Sequence, residues 1–242
     1  MDIKGKIAVM NWKCNPSSKE EAEALAVASD IDGVIICPPA PFIEAVRNKL
    51  NKAVLGSQDG FWEEGAFTGE YSFNQLSSAG VKYSVIGHSE RRWLFGEDSS
   101  SISKKVKAAI KAGIIPILCV GEKERISKPE AIETVLSQLM ASIKDIAEND
   151  MENIIVAYEP VWAIGTGNNA SLKEVEPVIL GIIEYFKENF DKKMNVIYGG
   201  SVLSENVKNY IISPYISGVL VGGSSLNKDK ALEIIKIIKS TI

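Results

Sequence analysis

The residues of this chain that could transfer protons stand at the ends of short apolar runs. His88, the single histidine among the 242 residues, follows one such run, and Glu159 follows another and is itself followed by Pro160. A lone histidine is more often structural than functional, so its neighbours must decide its role. A buried, unpaired glutamate is costly, and Pro160 does not open an ordinary helix, so we interpret Glu159 as an acid or base with a tuned pKa. With one imidazole, no multi-histidine metal site can form.

An amide and an ammonium stand at a third strand end. Asn11 and Lys13 follow the run Ile7–Met10. If the backbone stays extended there, its period of two places both side chains on one side and Trp12 on the other. Such residues are most often merely solvated. Next to an imidazole and a carboxylate, however, they favour proton transfer beside a carbonyl group, with a glutamate as base and an electrophile that polarises the oxygen.

Two Gly-Gly-Ser triplets close the last two apolar runs, at 199–201 and 222–224. Glycine pairs are usually turns. In this place they also allow backbone N–H groups to approach an anion closely, and a following helix would add a favourable dipole. The two triplets therefore predict a phosphate site.

A further glycine pattern, Gly-Thr-Gly-Asn-Asn-Ala at 165–170, matches the dinucleotide signature G-x-G-x-x-A. A functional signature follows directly on a strand, whereas here Pro160 and four apolar residues intervene. Glycines that flank a short apolar segment fit a mobile lid better, and we expect no cofactor.

The elements that must position these residues repeat about every 30 positions. Eight apolar runs, typical of strands covered on both faces, alternate with helical patterns. They are Ile7–Met10, Val34–Cys37, Ala53–Leu55, Tyr83–Ile86, Ile114–Val120, Ile154–Tyr158, Asn195–Tyr198 and Gly218–Val221. Both an open doubly wound sheet and a closed barrel fit this order. Because no linker divides the chain, we predict an α/β fold with one domain over 1–242, a parallel eight-stranded β/α barrel.

Helix starts are marked by capping pairs. Ser127 with Glu130 predicts a helix from Lys128 to about Ala147, and Ser171 with Glu174 predicts a second one. A last helix is expected from about Lys228.

Composition narrows the class of protein. The net charge is −4, with no basic stripe, which argues against nucleic-acid binding. No apolar run reaches the roughly 18 residues of a membrane span, and the N-terminus lacks a signal-peptide pattern. Three cysteines without a Cys-x-x-Cys pair favour free, buried thiols in a reducing compartment, so we expect a cytoplasmic protein.

Six blocks in a fixed order carry a resemblance. They are Asn-Trp-Lys (11–13), Gly-Ala-Phe-Thr-Gly-Glu (65–70), Gly-His-Ser-Glu-Arg-Arg (87–92), Ala-Tyr-Glu-Pro-Val-Trp-Ala-Ile-Gly-Thr-Gly (157–167), Tyr-Gly-Gly-Ser-Val (198–202) and Val-Gly-Gly-Ser (221–224). Together they resemble the triosephosphate isomerase family over essentially the whole chain. This resemblance implies a TIM barrel that interconverts dihydroxyacetone phosphate and glyceraldehyde 3-phosphate without cofactor or metal.

The resemblance also implies catalytic roles for named residues. Glu159 would be the base that moves the proton between neighbouring carbons, and His88, as a neutral imidazole, would polarise the substrate oxygens. Lys13 would stabilise the charge of the enediolate and the phosphate, and Asn11 would orient the intermediate. Glu90 would support the site beside His88 and Lys13.

The family likeness further implies how substrate and partner are bound. Gly165, Ser201, Gly222 and Gly223 would hold the phosphate, and residues 160–167 would close over it. Members are typically homodimers in which a loop like 59–74 inserts beside the partner's site, with Thr68 near Asn11 of the partner subunit. Phe61, Trp62 and Phe67 would otherwise form a costly exposed patch or fold back on their own barrel.

Two other functions remain open at this level. One is a phosphate-binding barrel of the same fold without catalysis, against which the intact set Asn11, Lys13, His88 and Glu159 argues. The other is a different phosphosugar isomerase on this barrel, which would lack the lid sequence seen here.

Overall fold

Eight parallel strands close into one barrel in the computed structural model, which describes residues 5–165 and 169–241. Each strand pairs with the next along the chain, and the last pairs with the first, Ile7 opposite Gly218. The strands are β1 (Ile7–Asn11), β2 (Val34–Cys37), β3 (Val54–Ser57), β4 (Tyr83–Ile86), β5 (Ile115–Val120), β6 (Ile155–Tyr158), β7 (Asn195–Tyr198) and β8 (Gly218–Val221). The predicted TIM barrel is confirmed.

Helices surround the barrel and cover the outer face of the strands. They are α1 (Lys19–Ala28), α2 (Ile43–Arg47), α3 (Phe73–Ser78), α4 (Ser89–Leu94), α5 (Ser99–Lys111), α6 (Lys128–Ile143), α7 (Leu172–Phe190), α8 (Val207–Ile211) and α9 (Lys228–Ser240). Short 3₁₀ segments occupy Ala40–Phe42, Glu148–Asn153, Val161–Ala163 and Gly223–Leu226. Both predicted capping boxes are present, at Ser127 and at Ser171, because each serine and its glutamate satisfy the free N–H groups of the first turn.

The core has two layers, as expected when each strand is buried on both faces. Side chains that point inward fill the barrel, among them Val9, Ile117 and Ile197. Side chains that point outward, such as Met10 and Leu118, pack against the helices. With its interior filled, the barrel leaves its carboxyl-terminal rim as the place where polar groups can gather.

Two element boundaries differ from those expected by more than one residue. The third strand covers Val54–Ser57 and not Ala53–Leu55, because Gly56 and Ser57 pair with Tyr83 and Ser84 of β4. Helix α6 ends at Ile143 and not near Ala147, and the 3₁₀ turn that follows buries Met151 in the core.

One cysteine prediction is wrong. All three thiols are free, but only Cys37 and Cys119 are buried, whereas Cys14 is exposed where the chain leaves the barrel after Lys13.

In the described part of the chain, every helix is too short or too polar to cross a membrane. A single domain over 1–242 remains a prediction, since that range extends beyond the described residues.

Candidate active site

A cavity of about 370 Å³ opens at the carboxyl-terminal ends of the strands. It brings together eight of the nine predicted site residues: Asn11, Lys13, His88, Glu159, Gly165, Ser201, Gly222 and Gly223. The ninth, Glu90, contacts Lys13. These residues lie up to 212 positions apart, from Asn11 to Gly223, so the barrel rim is what assembles them.

Asn11 and Lys13 both line the cavity while Trp12 is buried, which confirms the predicted sides. The extended backbone on which that prediction depended is not present at Lys13, whose φ is 53°. The backbone N–H of Lys13 donates to Asn11 Oδ1 at 3.1 Å, and its ammonium lies 2.5 Å from Glu90 Oε1. Asn11 and Glu90 thus hold the lysine from two sides, with its side chain 28% exposed.

His88 caps the short helix that follows β4. It is buried at 6% exposure, and its Nδ1 accepts the backbone N–H of Glu90 at 3.2 Å. An Nδ1 that accepts a hydrogen bond carries no proton, so the proton of a neutral ring sits on Nε2. Nε2 lies 3.1 Å from Glu159 Oε1, at the cavity.

Glu159 is a nearly inaccessible carboxylate with unequal oxygens. Its side chain is 2% exposed, and Oε2 accepts the backbone N–H of Ser89 at 2.9 Å. Oε1 is close to His88 but receives no well-directed hydrogen bond from any described residue. A buried oxygen without a directed donor is costly and is available to a proton brought to it.

The two groups shift each other's pKa. Burial alone would raise the pKa of Glu159, but His88 and the Ser89 N–H outweigh it, and the pKa of the carboxyl lies below its usual value. Burial lowers the pKa of His88, and Glu159 together with Glu90 raises it by more, so the pKa of the imidazole lies above its usual value. This direction opposes the neutral His88 that the sequence led us to expect, whereas the bond at Nδ1 favours it.

The glycines at the rim make room for particular groups. A Cβ on Gly199 would lie 2.9 Å from Glu159 Cγ, and one on Gly222 would lie 3.3 Å from Lys13 Cε. At Gly165 and Gly223, by contrast, an added Cβ would meet no atom within 4 Å. The first two glycines therefore leave space for the side chains of Glu159 and Lys13, and the last two face open space.

Comparison with known proteins decides the family. The family model described as Triosephosphate isomerase matches residues 6–238. The chain belongs to the triosephosphate isomerase family. It is 41% identical to the Triosephosphate isomerase of Thermoanaerobacter sp. (strain X514) over 231 residues, 89% of this chain and 92% of that protein. It is 40% identical to that of Coprinopsis cinerea over 244 residues, 95% of this chain and 96% of that protein. It is 37% identical to that of Alkaliphilus oremlandii over 239 residues, 93% of this chain and 96% of that protein.

The segment after Glu159, the predicted lid of this family member, is anchored by residues that sequence reasoning missed. Trp162 lies in the 3₁₀ turn Val161–Ala163, and its indole N–H donates to Glu122 Oε1 at 2.7 Å. The hydroxyl of Tyr158 donates to the same oxygen at 3.1 Å. Arg125 lies over the Trp162 ring, 4.7 Å from its centroid. Of the predicted lid 160–167, positions 166 and 167 lie outside the described residues.

A second missed feature is a charged cluster behind the helix that carries His88. It consists of Asp59, Arg91, Glu97 and Lys105. The Lys105 ammonium contacts both carboxylates, at 2.7 Å from Asp59, and Arg91 Nε lies 2.8 Å from Asp59 Oδ2. The cluster joins the start of loop 59–74 to helices α4 and α5. No local pattern marks it, because its members are brought together only by the closed barrel.

Proposed function

We propose that the cavity binds a triose phosphate and that its residues catalyse the reaction of the triosephosphate isomerase family, the interconversion of dihydroxyacetone phosphate and glyceraldehyde 3-phosphate. The observation that carries this proposal is the Glu159 carboxylate. It is almost completely buried at the cavity, with Oε2 fixed by Ser89 and Oε1 free of a directed donor. A base held in this way can take a proton from carbon and return it to the neighbouring carbon.

Two groups face the oxygens of such a substrate. When Glu159 takes the carbon-bound proton, the electron pair of that bond forms the C=C bond of an enediolate and the carbonyl oxygen becomes negative. The Nε2–H of His88 then donates to the oxygens, and the Lys13 ammonium stabilises the charge. Asn11, whose Oδ1 accepts the backbone N–H of Lys13, holds the intermediate in register.

Contact with substrate resolves the opposing influences on His88. In the empty site, Glu159 is the main group that raises the pKa of the imidazole. Once the Glu159 carboxylate turns toward the substrate carbon, it raises the pKa of His88 less, and the lowering effects of burial and Lys13 are less opposed. The complex therefore favours the neutral ring required for polarising the carbonyl more than the empty enzyme does.

Glu90 is a positioning residue. Its carboxylate pairs with Lys13 and its backbone N–H donates to His88, so one residue sets the place of both. Phosphate binds to the backbone at Gly165, Gly222 and Gly223 and to Ser201, with Gly222 next to the Lys13 side chain, and residues 160–167 close over it. Closure removes water and strengthens the electrostatic contacts inside.

The decisive experiment replaces Glu159 by Gln and follows turnover of glyceraldehyde 3-phosphate in a coupled assay. We expect kcat to fall by about 10³-fold or more, since a general base contributes about 10²–10⁴-fold, while glycerol 3-phosphate still binds. Glu133→Gln, the same change at an exposed helix position, is the control and should keep wild-type turnover.

Three outcomes separate the candidate functions. Near-normal turnover in E159Q would remove Glu159 from the mechanism. A wild-type chain that binds glycerol 3-phosphate but isomerises no phosphosugar would be a binding barrel. Turnover of another phosphosugar in place of glyceraldehyde 3-phosphate would assign a different isomerase.

We also propose a homodimer through loop 59–74. Phe61 stacks on Trp62 with ring centroids 4.0 Å apart and contacts Phe67 at 4.7 Å, so these rings pack largely on one another. Phe67 nevertheless remains 38% exposed, and Thr68 beside it is exposed, as insertion next to Asn11 of the partner subunit requires. Analytical ultracentrifugation at micromolar concentration should show a dimer, and a monomer alone would contradict the proposal.

A cytoplasmic location remains a prediction, supported by the free thiols.

A further inference from the structure

Lys230 carries an inference that rests on the proposed function and deepens it. We propose that Lys230 is a second phosphate-binding cation of the active site, distinct from Lys13 in acting on substrate binding and not on the chemical step. Its ammonium would contact the phosphate dianion from the mouth of the cavity.

The position of Lys230 in the fold supports this role. Lys230 lies in the first turn of α9 and lines the same cavity as Gly222 and Gly223, the glycines assigned to phosphate. Asn227 fixes this turn, because its side-chain oxygen accepts the backbone N–H groups of both Asp229 and Lys230 at 3.1 Å. The start of α9 is thus held against the phosphate end of the cavity.

Apart from Lys230, the charged residues that line the cavity do not by themselves offset the charge of a phosphate dianion. Its ionisable lining residues within the described chain are Lys13, His88, Glu159 and Lys230. Lys13 is already paired with Glu90, and Glu159 is the buried base and carries a negative charge. A phosphate dianion that enters therefore meets a carboxylate whose charge must be offset.

Lys230 is available to offset it. In the part of the chain that the structure describes, its ammonium forms neither an ion pair nor a hydrogen bond, in contrast to Lys13. The residue is exposed, so a single-charge contact there is weak in water and is screened by salt. Because the ligand carries two charges, the effect on binding should nonetheless be measurable.

The test compares Lys230→Gln with Lys228→Gln in the full-length protein. Lys228 belongs to the same helical turn and is also exposed, but it borders a separate groove with Asn15 and Leu226. At low ionic strength, K230Q should raise the KM for glyceraldehyde 3-phosphate about three- to tenfold and leave kcat within about twofold. K228Q should match the wild type, and Lys230→Arg should keep the wild-type KM.

Two further measurements isolate the phosphate. With glyceraldehyde, which lacks the phosphate, kcat/KM should be the same in K230Q and wild type. The dissociation constant of inorganic phosphate, measured by calorimetry, should rise in K230Q by the same factor as the KM, and both effects should shrink as salt is added.

The outcomes distinguish this inference from the function on which it rests. An active wild type with K230Q equal to K228Q in KM and in phosphate affinity would overturn the role of Lys230. An equal loss with glyceraldehyde would also overturn it, because the loss would then be independent of phosphate. A wild type without turnover would overturn the proposed function, while phosphate calorimetry would still decide whether Lys230 binds the anion.

Discussion

Replacing Lys105 by Met should destabilise the barrel strongly, although the residue lies outside the active-site cavity. Lys105 is 3% exposed, and its ammonium is shared between Asp59 and Glu97. Methionine fills much of the same space but leaves two buried carboxylates with Arg91 as their remaining cation, at 2.8 Å from Asp59 and 3.4 Å from Glu97.

The magnitude follows from the cost of an uncompensated buried charge. Removing one partner of a buried pair costs about 3–5 kcal/mol, and retention of Arg91 favours the lower end. For a chain of this length, roughly 2–4 °C of melting temperature is lost per kcal/mol, so we expect a decrease of about 6–20 °C.

The loss should also depend on pH in a defined direction. Burial raises the pKa of Asp59, and Lys105 is the main group that lowers it, so K105M raises the pKa of Asp59 further. An acid whose folded-state pKa is raised loses stability as pH rises through that pKa, because its charged form is the disfavoured one. The deficit of K105M should therefore be smaller at pH 5 than at pH 8.

Urea denaturation at both pH values is the assay, with Lys107→Met as the matched control. Lys107 lies two residues further along α5 and is exposed, so its change should be within about 0.5 kcal/mol of zero. Asp59→Asn in the K105M background should restore part of the stability. A K105M protein within about 1 kcal/mol of wild type at pH 8 would refute the reasoning.

Three further results are expected. The single histidine allows His88 to be titrated by NMR, and its pKa should lie above about 6.5 in the free protein and fall when Glu159→Gln removes the main raising charge. Since the pKa of His88 is raised on folding, the stability that its protonation contributes is complete below about pH 6.5 and is lost as pH rises through the pKa of the folded state. E159Q should abolish this pH dependence, and an unchanged His88 titration in E159Q would contradict the coupling. Trp162→Phe removes the donor to the buried Glu122 and should lower the free energy of unfolding by about 1–3 kcal/mol in urea, whereas wild-type stability would show that this bond contributes nothing. Gly121→Ala would place a Cβ 1.7 Å from the Glu159 carbonyl oxygen, so kcat should fall about 100-fold with the far-UV circular dichroism preserved, and normal turnover would mean that the backbone adapts.

The strands could be predicted because each one is buried on both faces and is therefore almost wholly apolar. The exception, β3, continues through Gly56 and Ser57, and a Cβ at Gly56 would lie 2.5 Å from Cys37 Sγ on the neighbouring strand β2, so that position has no room for a side chain. That requirement exists only once β2 and β3 are paired, so no local pattern reveals it.

The site residues could be predicted because the barrel places strand ends at one rim, and chemistry-bearing side chains stand at those ends. The residues that support these side chains could not be predicted from the sequence. Glu122 meets Trp162 across 40 positions and Lys105 meets Asp59 across 46, and each pair depends on helix and loop placement. Lys230, for which we propose a phosphate contact, could not be singled out for a related reason: an exposed lysine in a helix is normally solvated, and only the folded chain shows that it lines the cavity.

The hydrogen bond from the Glu90 backbone to His88 Nδ1 has a consequence for engineering this barrel. The imidazole caps the first turn of α4, so any His88 substitution changes two things at once. Alanine would remove the proposed electrophile and also about 1 kcal/mol of helix-end stabilisation, loosening the segment that bears Glu90 and the Ser89 N–H. Asparagine would retain an acceptor for the turn and separate the two contributions. A redesigned proton-transfer site on this scaffold must therefore choose its electrophile from the few side chains that can also begin a helix.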